Sequence, residues 1–118
     1  MMHTYSMKRL HAVFFRLESG TEPVRDWLKS LGKEACARIG ADIKTVEYGW
    51  PVGMPVCRPM GDGLFEVRTH LPEGRIARVL FCVEEGRMFL LHGFIKKTQT
   101  TPHQDKQLAL TRKKQLNG

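Results

Sequence analysis

Acidic residues are the scarce charge in this sequence: 12 Asp and Glu stand against 19 Lys and Arg, for a formal charge of +7. The resulting pI near 9.7 points to a polyanionic partner, a role open to nucleic acid, an acidic protein or an anionic lipid surface. Cysteine is also sparse. Cys36, Cys57 and Cys82 are odd in number and form no CxxC pair, which argues against a disulfide framework or a zinc site and fits reduced thiols in the cytoplasm. No apolar run approaches the roughly 18 residues that span a bilayer. The leading MMHTYSMKRLHAVFF has no long apolar core and no small-residue cleavage pattern, so a soluble cytoplasmic protein without a membrane role is expected, with Met2 or Met7 as alternative starts.

Catalytic signatures are missing as well. There is no P-loop, HExxH, GxSxG or GxGxxG, and His never falls near Asp or Glu at metal-ligand spacing. Any catalysis is therefore expected to proceed without a metal, and no cofactor is implied. At 118 residues, with no repeat or low-complexity tract, the chain is expected to be one domain over residues 1–118.

What is present is a run of strands. Leu64–Leu71, Arg75–Val83 and Arg87–Lys97 are rich in Val, Ile, Leu and Phe, and are separated by Pro72-Glu73-Gly74 and Glu84-Glu85-Gly86. Such short connections force antiparallel neighbours. Upstream, Leu10–Leu17 reads as a first strand. Pro23 opens a helix with Val24, Trp27, Leu28 and Leu31 on one face, and a second helix runs from Lys33 to Tyr48 with Ala35, Ile39, Ile43 and Val46 on its stripe. Trp50–Gly61, dense in Pro and Gly, is expected to be an ordered loop. Thr101-Pro102-His103-Gln104 fits a capping box before a last helix through about Lys114, whose thin apolar face (Leu108, Ala109, Leu116) predicts loose docking. The expectation is an α+β fold: a small antiparallel sheet of the N-terminal strand plus a three-strand meander, backed by an N-terminal helical hairpin, with a C-terminal helix and one open sheet face.

Cations interrupt this apolar sheet. Alternation turns Phe65, Val67, Thr69 and Leu71 to one face and Leu64, Glu66, Arg68 and His70 to the other. Arg68 then either binds an anion or pairs with Glu66 or a residue across the strand. Arg78 is the one interior charge of the most apolar strand, so it needs a carboxylate such as Glu66 or a cleft that faces an anion. Arg75 starts the same strand on the opposite parity. His92, Phe94 and Lys96 share a parity, placing an imidazole, a ring for base stacking and an ammonium in a row, with Lys97 next to them. A lone strand histidine is more often structural, and terminal lysines are usually solvated. From Lys96 onward, Lys96, Lys97, Lys106, Arg112, Lys113 and Lys114 face only Asp105, so this C-terminal stretch carries +5 of the charge.

GLFEVR, GRIARVLF and LLHGFIKKTQTTP, followed by a polar basic helix, resemble the HigB-like, phage Gp49-type branch of the RelE/ParE toxin superfamily. The resemblance implies a RelE-like fold and the toxin of a type II toxin–antitoxin pair. It also implies a ribosome-dependent mRNA endonuclease that drives the RNA 2′-OH onto its own phosphate, with partners in the ribosome, the mRNA and a cognate antitoxin bearing an acidic segment or a helix-turn-helix. By that resemblance Arg68, Arg78 and Lys96 or Lys97 match the family's basic positions, with Glu66 and His92 as proton-transfer candidates. Arg75, Phe94, Arg112 and Lys113 join Lys96 and Lys97 as candidate RNA and phosphate contacts. No aromatic residue follows Phe94, where several RelE-type toxins carry one. A gyrase-poisoning ParE-like protein and a non-catalytic basic binding module are the alternative readings.

Overall fold

The computed structural model describes residues 7–116; Met2, one of the alternative starts, lies outside them. The elements are β1 (His11–Phe14), α1 (Pro23–Ser30), α2 (Lys33–Gly49), β2 (Cys57–Gly61), β3 (Leu64–His70), a short 3-10 turn at Pro72–Gly74, β4 (Ile76–Glu84), β5 (Arg87–Lys96) and α3 (His103–Leu116). Pro23 takes the first position of α1, where its missing N–H costs nothing and its fixed φ suits the helix. Gly32, at φ 89°, makes the tight corner into α2. The predicted stripe is the buried one, with Ile39, Ile43 and Val46 all turned inward.

The strands form one mixed sheet in the order β1-β5-β4-β3-β2. The β3–β4 and β4–β5 pairs are antiparallel, as their short turns require. Two expectations are corrected. The first strand pairs parallel with β5 instead of antiparallel. Its connection to the rest of the sheet runs through both helices, so no tight turn dictates its direction, and Glu47 at the end of α2 fixes its place by accepting from the backbone N–H of Ala12 at 2.8 Å. The second correction is a fifth strand: Cys57–Gly61, expected as loop, is β2. An edge position tolerates Pro59, whose missing donor faces away from the ladder, and an irregularity between Pro59 and Gly61 absorbs the rest.

Side-chain alternation divides the core in two. Val67, Val79, Phe81, Met88 and Leu90 pack beneath α1 and α2 together with Val24, Leu28, Ile39 and Val46. Trp50, leaving α2, meets the rings of Phe65 and Phe81 edge-on at 4.9 and 5.9 Å. On the other face Leu64, Leu80, Cys82, Leu91 and Phe94 cluster with Phe15 and Ala109. That face, expected to be open, is therefore covered by α3. Helix docking here depends on smallness more than on a broad apolar stripe: the fully buried methyl of Ala109 lets the backbone come close. Arg112 then donates to the Leu91 carbonyl at 2.8 Å, and Lys106 pairs with Asp62 at 3.4 Å. A bulge opposite Leu80 and Phe81 aids the fit, because it turns both Leu91 and His92 toward α3.

Candidate functional site

Two cross-strand rows on the α3 face build the site. Arg58, Glu66, Leu80 and His92 align across β2, β3, β4 and β5, and Arg68, Arg78 and Phe94 form the next row. Strand alternation explains their common face, and the register makes Glu66 the centre. Its Oε1 lies 2.9 Å from Arg58 Nη2, 3.5 Å from Arg68 Nη1 and 3.8 Å from Arg78 Nε. Glu66 and Arg78 are fully buried, and Arg68 is 5% exposed. The sequence left Arg78 with a choice between a carboxylate partner and an anion-facing cleft. The geometry supplies the partner and leaves the demand for an anion standing.

Charge explains why. Three guanidiniums, those of Arg68 and Arg78 buried and that of Arg58 30% exposed, meet one carboxylate, an excess of two positive charges at a mostly dry place. Nε and Nη1 of Arg78 and Nε of Arg58 are buried without a hydrogen-bond partner. Burial lowers the Arg78 pKa from its usual value; Glu66 pulls it back up, while Arg68 and Arg58 push it down further. Donors held in this way are suited to a tetrahedral oxyanion such as phosphate.

Residues 97–102 form a strap across the cluster. Arg78 Nη2 donates to the Thr98 carbonyl, and Arg68 donates to Gln99 through its carbonyl at 3.4 Å and its Oε1 at 3.0 Å. The Thr101 hydroxyl donates to Glu66 Oε2 and accepts from Arg58 at 3.4 Å. The expected capping box is thereby corrected, because the Thr101 side chain turns to Glu66 instead of to the start of α3. Strap oxygens thus take up donors of all three arginines.

The remaining candidates separate. His92 Nε2 is 2.6 Å from Asp105 Oδ1, and its ring stacks on Phe94 with centroids 5.5 Å apart. Phe94, expected as a free stacking platform, is buried, with that imidazole stacked on it and the Arg78 guanidinium 5.7 Å from its ring centroid. Lys96, half-buried, sits 3.8 Å from Asp105, and Lys97 is exposed beside it at the base of the strap. Arg112, expected as an RNA contact, donates to the Leu91 carbonyl, with its guanidinium 5.9 Å from the Phe15 ring and burial lowering its pKa. Lys113 extends over the turn at Gly63. Arg75 is not brought to the site. It donates to the Pro72 carbonyl and lines a cavity with Leu31, Lys33 and Arg38 at the helical hairpin.

Sequence reading missed Arg58, the strap and Asp105. For Arg58 a signal existed in the parity it shares with Met60, opposite to Cys57, which the prolines concealed. Among the described residues no three His, Cys, Asp or Glu side chains gather to hold a metal, and no helix is long and apolar enough to cross a membrane. No curated protein matches the chain. A family model does match, that of phage derived protein Gp49-like (DUF891), over residues 26–114, which take in β2 to β5 and the whole arginine cluster; the chain belongs to this family of RelE/HigB-like toxins.

Proposed function

We propose that the protein is a toxin that cuts mRNA on the ribosome, without a metal, and is held in check by a cognate antitoxin. The observation that carries this reading is the buried arginine cluster, with its excess of positive charge and its unpaired N–H groups around Glu66. Membership of a family associated with toxin–antitoxin pairs supports it, and implies an antitoxin partner in general.

RNA carries its own nucleophile in the 2′-OH, so the reaction needs no metal-activated water. It needs cations around the phosphorane as charge accumulates, and a group to accept the 2′ proton. Arg58, Arg68 and Arg78 supply the first. Glu66, with both oxygens engaged, holds the three guanidiniums together, and His92 is the proton acceptor. Lys96 and Lys97, at the rim, guide the RNA backbone toward the cluster. In this arrangement the strap covers Arg78, so the strap lifts before a phosphate reaches that residue. An antitoxin with an acidic segment opposes the same cations.

The test is cleavage of end-labelled mRNA by purified protein, with and without programmed ribosomes, in EDTA, beside an Arg78→Ala variant shown to fold by circular dichroism. Cuts that need the ribosome, survive EDTA, end in a 2′,3′-cyclic phosphate and vanish in the variant are the expected result. Growth arrest on expression with no cuts in any lane would sink the reading and favour a gyrase-type target.

A further inference from the structure

Asp105 does not belong to any sequence motif, yet it completes the site from the α3 side. Its Oδ1 is 2.6 Å from Nε2 of His92, with the two side chains 13% and 15% exposed. A carboxylate only accepts, so at this distance the proton sits on Nε2, and in the neutral ring Nδ1 is the free base. The imidazole plane is fixed too, since it stacks on Phe94 at 24°, and Phe94 lies beneath the Arg78 guanidinium. His92 is thereby locked into the stack that carries an arginine of the phosphate cluster.

A purely structural role for Asp105 explains this poorly. Ala109 and the Arg112–Leu91 hydrogen bond already dock α3. Asp105 Oδ2 is buried with no hydrogen bond, and Lys96 Nζ stands 3.8 Å from it. A part-satisfied carboxylate is a costly way to fix a helix.

We propose that Asp105 is a positioning residue for RNA cleavage, holding His92 in the Nε2–H tautomer so that Nδ1 takes the proton of the 2′-hydroxyl. This deepens the endonuclease reading and rests on it. In the step, the 2′-oxygen loses its proton to Nδ1 and forms a bond to phosphorus. The bond from phosphorus to the 5′-oxygen breaks, and that oxygen takes a proton from water. The imidazolium left behind is stabilised by Asp105, the role a buried carboxylate plays behind other catalytic histidines.

Two readouts test it on the full chain. In long-range 1H–15N spectra of labelled protein, His92 shows a single Nε2–H tautomer. Asp105→Asn, whose amide can turn either its oxygen or its NH2 to Nε2, weakens that preference, and Asp105→Leu removes it and gives a mixture. In ribosome-programmed cleavage, Asp105→Leu loses about 100-fold in kcat with KM nearly unchanged, and Asp105→Asn falls between it and the wild type. A Leu variant with native circular dichroism that keeps both the tautomer and kcat overturns the positioning role alone. Wild-type protein that cuts no RNA overturns the endonuclease reading and this role with it, even if its spectrum shows the expected tautomer.

Discussion

Arg68 and Arg78 stand directly opposite one another on neighbouring antiparallel strands, and both are buried. Like charges in that relation repel, and a dry site magnifies the repulsion. The sheet holds them because Glu66, one row away, reaches both, and because strap carbonyls take up part of their donors.

Replacing Glu66 with Gln should therefore destabilise the protein by about 3–5 kcal/mol, the usual consequence of leaving a buried ion pair one-sided. Urea denaturation measures the loss. Millimolar inorganic phosphate should restore part of it, since an anion substitutes for the missing charge. A midpoint unchanged from wild type would mean that Glu66 does not balance the cluster.

The strap competes with any anion for the same donors. Gln99→Ala removes the side-chain acceptor from Arg68 and should tighten phosphate binding about tenfold, equivalent to roughly 1.4 kcal/mol. Isothermal titration at fixed ionic strength measures the change. Equal affinities for the two proteins would show that Gln99 does not hold the cluster closed.

The strength of each local signal explains what the sequence disclosed. Arg68 could be given a face because β3 obeys strict alternation, and Arg78 stood out as the one interior charge of an apolar strand, while their facing positions follow from the β3–β4 register. The hairpin α1–α2 was equally clear, marked by Pro23 and Gly32 at its corners. Strand β2 was hidden because Pro59 and Gly61 are poor strand formers whose tolerance depends on an edge position, and that is a tertiary fact. The docking of α3 was hidden for a related reason: a small Ala109 and a polar Arg112 hold it, and neither adds to an apolar stripe. Thr101 reads as a cap from its neighbours alone, and Glu66, distant in sequence, claims its hydroxyl. Nothing local shows that His92 and Asp105 meet, because they lie on separate elements.

Burial pushes the Cys57 and Cys82 thiols from the ordinary value near 9 up to about 11. The folded protein thus keeps protons that the unfolded chain releases near pH 9. This contribution to stability is complete below pH 9 and is lost as pH rises toward 11. The urea midpoint of the wild type should therefore fall more steeply between pH 9 and 10.5 than that of a variant carrying Cys57→Ala and Cys82→Ala. Parallel curves would refute the assignment. In native protein at pH 8, a thiol reagent should modify the half-buried Cys36 and spare the two buried thiols.

Gly93 lies between His92 and Phe94 on β5, with its α-carbon against the Trp27 ring of α1. A Cβ there would come within 2.4 Å of Trp27 Cζ3, a distance no side chain accommodates without movement of the ring or the strand. Gly93→Ala should accordingly lower stability by about 1–3 kcal/mol through overpacking, as read from urea denaturation. The three nearest atoms all belong to Trp27, so trimming that ring should relieve the clash: Trp27→Leu combined with Gly93→Ala should be less destabilised than the sum of the two single variants, by at least about 0.5 kcal/mol. Strict additivity would place the cause elsewhere in the backbone. The flanking residues raise a functional expectation as well. His92 and Phe94 face the arginine cluster from the other side of the strand, so a strand displaced by the new methyl group shifts the His92–Asp105 contact. Under the proposed endonuclease activity, Gly93→Ala should then weaken RNA cleavage even under conditions where the variant is fully folded, and Trp27→Leu in the same chain should recover part of it.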